Sequence, residues 1–161
     1  MTTSSLALSR QLLVGELLNR AAHKAPDKVA FVYNEQSRTF LEMKERAHQL
    51  AGWFQSEGMS NHDKVGFILK NGLPFVEVFF GIALSGNVGV PINFRLSADE
   101  IAYIVNNSDS RLLIIDEEYV PIIQAIQDRI PKVEKVVVVG SEHKNDIHYE
   151  SIFSVQKMFT P

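Results

Sequence analysis

Four short β-branched runs, separated by helical patterns, constrain the fold of this chain more than any other feature of its sequence. The runs lie at 65–69, 88–92, 112–115 and 136–139. Each is continuously apolar, which is typical of parallel strands covered on both faces by helices. The helical patterns between the runs lie at 74–84, 98–106 and 119–129. The sequence therefore predicts an α/β fold, with a mostly parallel sheet and helices on both faces.

The residues before this sheet predict a small hairpin between two helices. Strand-like runs at 29–33 and 37–40 are separated by a short polar turn. Thr39 and Glu42 then have the spacing of a capping box, which predicts the start of a helix. An amphipathic pattern from about Val14 to Lys24 predicts another helix ahead of the hairpin.

Local signals also mark the ends of two helices that follow. Ser97 and Glu100 form a second capping-box pattern, which predicts a helix start. Gly86 follows the nearly all-apolar pattern at 74–84, where a glycine favours a helix C-cap, and Gly89 favours close backbone packing. A helix so apolar is expected in the interior of the protein or against another domain.

These patterns predict three parts of the chain. Residues 1–9 are expected to be a loose or disordered N-terminus, and residues 10–140 an α/β subdomain. Residues 141–161 are polar at the start and are expected to be a loosely held linker towards something further on.

Composition and charge exclude several classes of function. The 161 residues carry a formal net charge of −3 with interspersed signs, so no basic stripe for a nucleic acid is expected. The absence of cysteine excludes disulfides and thiolate metal sites. No secretory signal is recognisable, and the apolar segment 73–92 is interrupted by Glu77 and Pro91, which disfavours a transmembrane helix. A cytoplasmic protein is the expectation.

The residues that could carry chemistry have simpler structural explanations. His143 and His148 lie five residues apart in a polar tail, where a solvated loop is favoured over a metal site. Asp116, Glu117 and Glu118 precede a helix, where carboxylates favour the positive end of the helix dipole over acid–base chemistry. No serine lies in Gly-x-Ser-x-Gly, and no phosphate loop or dinucleotide fingerprint is present. The residues alone predict a soluble α/β domain.

The order of several motifs resembles a known family. The stretch 63–100 contains Val-Pro-Ile-Asn ending at Asn93, followed by Arg95 and Leu96, and it strongly resembles the early region of acyl-CoA synthetases. Matching segments flank it at 25–30, 38–43 and 101–108. The resemblance extends over about 13–140. It identifies the chain as the N-terminal subdomain of an adenylate-forming, AMP-binding enzyme, similar to long-chain fatty-acid–CoA ligases.

The resemblance implies an activity that this chain cannot perform alone. Members of the family activate a carboxylate with ATP to an acyl-adenylate and transfer the acyl group to CoA, and they use magnesium. Their Ser/Thr/Gly-rich phosphate loop is expected beyond Pro161. The chain by itself is therefore expected to bind no cofactor and to be inactive. Its expected partners are the remainder of its own chain and a carboxylic acid, for which the resemblance favours a fatty acid.

One residue is a candidate for substrate contact. In some CoA ligases the arginine of the Asn-x-Arg-Leu stretch lies where the CoA phosphates bind, and the resemblance places Arg95 there. A guanidinium suits phosphate because it donates two parallel hydrogen bonds. The alternative is a surface salt bridge between Arg95 and Asp99. No catalytic residue and no metal ligand is expected.

Two other classes of function remain open from the sequence. The chain could be a non-catalytic interaction module, for example a homodimer formed through an uncovered face. The fold class alone would also allow a flavodoxin-like nucleotide or flavin binder, although fold does not imply function and the phosphate loop is missing.

Overall fold

The computed structural model describes residues 13–155, and its helices and strands follow the predicted order. The N-terminal elements are α1 (Val14–Lys24), β1 (Val29–Tyr33), β2 (Gln36–Thr39) and α2 (Phe40–Ser56). They are followed by β3 (Lys64–Ile68), α3 (Leu73–Ser85), β4 (Val88–Pro91), α4 (Ala98–Ser108), β5 (Ser110–Asp116), α5 (Val120–Ile126), β6 (Lys135–Val139), β7 (Ile147–His148) and α6 (Ser151–Val155). The predicted segment 1–9 lies outside the described residues.

Strands β3 to β7 form a five-stranded sheet in the order β4-β3-β5-β6-β7, and every neighbouring pair is parallel. β1 and β2 form a separate antiparallel hairpin. Successive side chains of a strand point to opposite faces, so Leu112 and Ile114 pack on one side of the sheet and Leu113 and Ile115 on the other. All four side chains are buried, as predicted from the continuously apolar run.

Helices cover both faces of this sheet. On the first face, called here the α2–α3 face, the buried residues are Leu50, Trp53, Phe54, Met59, Val65, Phe67, Leu69, Val78, Ile82, Leu112, Ile114, Val137, Tyr149, Ile152 and Phe153. On the second, the α4–α5 face, they are Ile68, Ile92, Ile101, Ala102, Val105, Leu113, Ile115, Tyr119, Val120, Ile123, Ile126, Ile130 and Val138. The predicted α/β fold is therefore confirmed.

An outer layer forms on the far side of α2 and α3. Leu18 of α1 packs with Met43 and Ala47 of α2, and Phe80 and Leu84 of α3 lie against this cluster. The nearly all-apolar α3 thus packs between the sheet and α1, although its Phe79 side chain stays 47% exposed.

The predicted caps are present. Both capping boxes form, with Thr39 and Glu42 at the start of α2 and Ser97 and Glu100 at the start of α4. Gly86 ends α3 with φ of 78°, a left-handed conformation that favours glycine.

The end of the described chain differs from its prediction as a loose segment. β7 pairs with β6, and Tyr149, Ile152 and Phe153 are buried on the α2–α3 face. Residues 147–155 therefore belong to the packed domain, because their apolar side chains find a surface that the local sequence does not reveal. The segment 119–129 also differs in detail, since its α-helix is short and has a 3₁₀ turn at each end, at Glu117–Tyr119 and Gln127–Arg129.

None of the helices in the described part of the chain combines the length and apolar character needed to cross a membrane.

Candidate functional site

The carboxyl ends of the parallel strands bring several polar side chains to one edge of the sheet. Lys70 and Asn71 follow β3, Asn93 and Arg95 follow β4, and Asp116 is the last residue of β5. Ligands of open α/β sheets bind at this edge, in the crevice where the strand order reverses. Here the order reverses between β3 and β5, because the chain visits β4 on one side of β3 and then crosses to β5 on the other.

A cleft of about 400 Å³ lies at this reversal. Its lining consists of Tyr33, Gln36, Lys70, Asn71, Gly72, Leu73, Pro74, Asp116, Glu117, Glu118, Val139 and Gly140. The backbone N–H of Lys70 donates to Asp116 Oδ2 at 2.7 Å, and Lys70 Nζ donates to Glu118 Oε2 at 2.7 Å. The carboxylates of this edge are therefore already engaged by neighbouring groups.

The protonation of these carboxylates follows from their surroundings. Burial raises the pKa of Asp116, and the hydrogen bond from the Lys70 backbone only partly opposes this effect. The hydrogen bond from the Lys70 side chain lowers the pKa of the exposed Glu118. Hydrogen bonds from Ser141 lower the pKa of Glu117. The Glu117 carboxylate approaches so closely that a Cβ on Gly140, at φ of 125°, would lie 2.7 Å from it.

This arrangement does not favour a phosphate. Three carboxylates line the cleft, and the N-terminus of α3 contains Pro74, which has no N–H to offer. The strand order is the flavodoxin-like one, but its reversal point presents three carboxylates, which would repel a flavin or nucleotide phosphate. The acidic residues after β5 instead bond to the backbone and to Lys70.

Arg95 lies in an exposed turn just after β4. Its backbone N–H donates to Asn93 Oδ1 at 3.0 Å, and its guanidinium lies 5.4 Å from the centre of the Phe94 ring. Tyr119 Oη donates to the Phe94 carbonyl at 3.2 Å, which ties this turn to the start of α5. Burial raises the pKa of Tyr119 to about 12.

The alternative contact of Arg95, a salt bridge with Asp99, does not form. Asp99, in the first turn of α4, accepts a hydrogen bond from Arg129 at 2.7 Å, because the end of the α5 segment lies beside that turn. Among residues 13–155, Arg95 makes no ion pair. Its side chain is exposed.

One histidine contacts the lining of the cleft through the backbone. His148 Nε2 lies 2.8 Å from the carbonyl of Gly140. Residues 13–155 contain no group of three or more His, Asp or Glu side chains placed to hold a metal ion.

Sequence reasoning missed a buried ionic network on the α2–α3 face. Glu77 of α3 is 1% exposed, and it accepts hydrogen bonds from Arg46 Nε at 2.6 Å and from Tyr149 Oη at 2.9 Å. Arg46 also donates to Glu150. The signal available in the sequence was a single carboxylate in an otherwise apolar helix, because such a group needs a partner when buried.

Comparisons with known proteins identify the family. The AMP-binding enzyme family matches residues 18–157. The chain is 40% identical over 113 residues to 4-hydroxybutyrate–CoA ligase 2 of Metallosphaera sedula, covering 70% of this chain and 21% of the relative. It is 28% identical over 135 residues to a medium/long-chain-fatty-acid–CoA/3-oxocholest-4-en-26-oate–CoA ligase of Mycobacterium marinum, covering 84% of this chain and 24% of the relative.

Solved structures agree with these relatives. The crystal structure of the anthranilate CoA ligase AuaEII in complex with anthranoyl-AMP superposes with a TM-score of 0.87 at 25% identity, over 93% of this chain and 30% of that one. The chain thus spans about a fifth to a quarter of the length of these two curated relatives. With most of its residues matched and the same fold, this chain belongs to the AMP-binding, adenylate-forming enzyme family.

Proposed function

We propose that this chain is a scaffold portion of an ATP-dependent carboxylate–CoA ligase, which forms an acyl-adenylate and then an acyl-CoA thioester. The observation that carries the proposal is the 40% identity to 4-hydroxybutyrate–CoA ligase 2 within a match to the AMP-binding enzyme family. A fatty acid is the proposed substrate, supported by the mycobacterial relative that is named as a medium/long-chain-fatty-acid–CoA ligase.

The residues of this chain do not fit ATP or magnesium. The cleft at the carboxyl edge presents carboxylates, residues 13–155 hold no cluster of metal ligands, and the sequence has no phosphate loop. We therefore assign those groups to polypeptide outside the 161 residues. The chain alone is expected to be inactive, and its partner is the remainder of the ligase.

Arg95 is the residue of this chain proposed to touch a substrate, through the phosphates of CoA. Its exposure, and the absence of an ion pair with any described residue, leave the guanidinium able to donate two parallel hydrogen bonds to a phosphate. In the full-length ligase, Arg95→Ala should raise the KM for CoA and leave adenylate formation unchanged. Arg129→Ala is the control, since Arg129 is paired with Asp99 nearby. Unchanged thioester formation in Arg95→Ala would contradict the assignment.

A chimera tests the scaffold role. The matched stretch of 4-hydroxybutyrate–CoA ligase 2 is replaced by the corresponding residues of this chain, and ATP–pyrophosphate exchange and CoA thioester formation are measured. Both activities are expected in the chimera, and neither in the 161-residue chain. A folded chimera without exchange would contradict the scaffold role, and exchange by the chain alone would contradict its inactivity.

The acid is tested separately, with the full-length ligase that contains this chain. Exchange is compared for fatty acids of several lengths, 4-hydroxybutyrate and anthranilate. Faster exchange with fatty acids supports the proposed substrate, and a preference for either of the other acids overturns it.

A further inference from the structure

The carboxylate of Glu77 occupies a site built for it inside the α2–α3 face. It is the one charged residue of α3, and its side chain is 1% exposed. Arg46 Nε donates to Oε1 at 2.6 Å, Tyr149 Oη donates to Oε2 at 2.9 Å, and Arg38 Nε lies 3.6 Å from Oε1. A buried carboxylate is tolerated only when it is paired and hydrogen-bonded, so the position of these donors is tightly specified.

Arg46 connects this interior carboxylate to the last described segment of the chain. Its two terminal nitrogens donate to both oxygens of Glu150, at 3.1 and 2.8 Å. Its guanidinium carbon lies 3.6 Å from the centre of the Phe153 ring. Burial lowers the pKa of Arg46, but the hydrogen bonds to Glu77 and Glu150 outweigh this effect and the pKa is raised. The guanidinium is therefore held charged between an interior and a surface carboxylate.

Apart from Arg38, Arg46 and Glu77, the residues of this network come from the segment 147–155. Tyr149, Glu150 and Phe153 all belong to it. The regular structure of the segment is small, because β7 has two residues and α6 has five. The strand ladder to β6 contributes two Cα pairs, Val137 with Ile147 and Val138 with His148. A ladder this short does little to select one position of the segment.

Apolar contacts do not select that position either. Tyr149, Ile152 and Phe153 are buried against α2 and the sheet. Burial of apolar area is non-directional, so several packings of the same side chains have similar free energy. Hydrogen bonds to a buried charge are directional, and a polar group at one position is known to fix the register of packed elements.

We infer that Glu77, Arg46, Tyr149 and Glu150 form a latch that selects one docked position for residues 147–155, and that opening it frees this segment while the sheet stays folded. The latch works on this chain itself and does not depend on the proposed ligase function. It joins α2 and α3 to a segment more than 70 residues away in the sequence.

Backbone hydrogen exchange on the 161-residue chain tests the latch. In the triple variant R46L/E77M/Y149F no charge is left buried and unpaired, so the sheet should keep its slow exchange. Three amides report on the segment: Tyr149, bonded to Val138 O, Ile152, bonded to Tyr149 O, and Phe153, bonded to Glu150 O. They should exchange at least tenfold faster than in the wild type, which corresponds to a change of about 1.4 kcal/mol in opening free energy.

The matched control is R111L/E134M, which removes an arginine–glutamate pair of the same residue types near the amino ends of β5 and β6, where Arg111 is 30% and Glu134 53% exposed. The control should leave those three amides unchanged. Wild-type exchange of the segment in the triple variant, equal acceleration in the control, or equal loss of protection across β3 and β5 would each overturn the inference.

Arg46→Lys provides a second variant if the triple variant does not fold. Lysine keeps the charge but cannot donate to both carboxylates and stack on Phe153 at once. The same three amides should exchange several-fold faster in Arg46→Lys, with the sheet unchanged. Exchange identical to the wild type would overturn the latch.

Discussion

The two faces of the sheet are built from different kinds of side chain. The buried side chains of the α4–α5 face are aliphatic except for Tyr119, and none is charged. The α2–α3 face buries Trp53, Phe54, Phe67 and Phe153. It also carries Glu77, the one charged residue that is buried in the part of the chain described here.

The difference shows that each face is specified by a different interaction. Aliphatic packing follows from the period of the sequence, and it tolerates exchange of one apolar residue for another of similar size. The α2–α3 face adds directional contacts between residues that are far apart in the chain, such as Arg46 and Glu150. On this face we therefore expect the loss of stability to depend on whether a substitution leaves a charged residue without its partner.

The largest effect should come from leaving Glu77 buried without its cation. Arg46→Met removes the guanidinium that donates to Glu77 at 2.6 Å. Breaking a buried pair by removing one partner costs about 3–5 kcal/mol, because the other charge stays desolvated. Urea denaturation should show this loss in the free energy of unfolding.

Two variants sharpen this first prediction. R46L/E77M/Y149F should recover most of the lost stability, since no unpaired charge remains inside. Arg111→Met should cost roughly 1 kcal/mol or less, because Arg111 and its partners Asp63 and Glu134 all keep part of their side chains in solvent. An equal loss in Arg46→Met and Arg111→Met would contradict a special role for burial.

A matched pair of leucines compares the apolar packing of the two faces directly. Leu112 and Leu113 are neighbours on β5, both are buried, and they point to opposite faces. Leu→Ala at a buried site costs about 2–5 kcal/mol. Both variants should lose stability in this range, with one cooperative transition in urea followed by circular dichroism and by Trp53 fluorescence. Transitions that separate in Leu112→Ala alone would show that the α2–α3 face unfolds independently.

The sequence predicted the elements whose signals are local. The β-branched runs gave the four longer strands of the parallel sheet, and the capping boxes at Thr39 and Ser97 gave two helix starts, all of which the structure confirms. These features depend on residues within one or two turns of each other. The α4–α5 face is composed almost entirely of such features.

The misses all involve contacts across long sequence separations. The segment after Ser141 begins with polar residues, and nothing local indicated that Tyr149 and Phe153 would pack on α2. The alternative pairing of Arg95 with Asp99 does not form, because Asp99 bonds to Arg129, thirty residues away in the sequence. A lone glutamate in an apolar helix signals a partner, but not which arginine or tyrosine supplies it.

The two capping boxes offer a smaller comparison, one helix start on each face. In both, the hydroxyl accepts a hydrogen bond from the backbone N–H three residues later and the glutamate returns the contact. Thr39→Ala and Ser97→Ala should each cost about 1 kcal/mol. Urea denaturation measures both, and Ser37→Ala on the exposed hairpin is the control. A loss of several kcal/mol in Thr39→Ala alone would show that the start of α2 also supports the ionic network.

The smallest expected effect concerns the one tyrosine that each face buries. Its contribution to the pH dependence of stability is measurable only at alkaline pH. Burial raises the pKa of Tyr149 well above its ordinary value, with Glu77 adding to the effect, and burial raises the pKa of Tyr119 to about 12. A tyrosine in the unfolded chain ionises near pH 10, so above that pH the unfolded state loses protons that the folded state keeps. Stability should therefore fall as the pH rises from 9 to 12. The fall should be smaller in Tyr149→Phe than in Tyr119→Phe, as measured by urea midpoints across this range. A smaller fall in Tyr119→Phe than in Tyr149→Phe would mean that Glu77 does not raise the pKa of Tyr149.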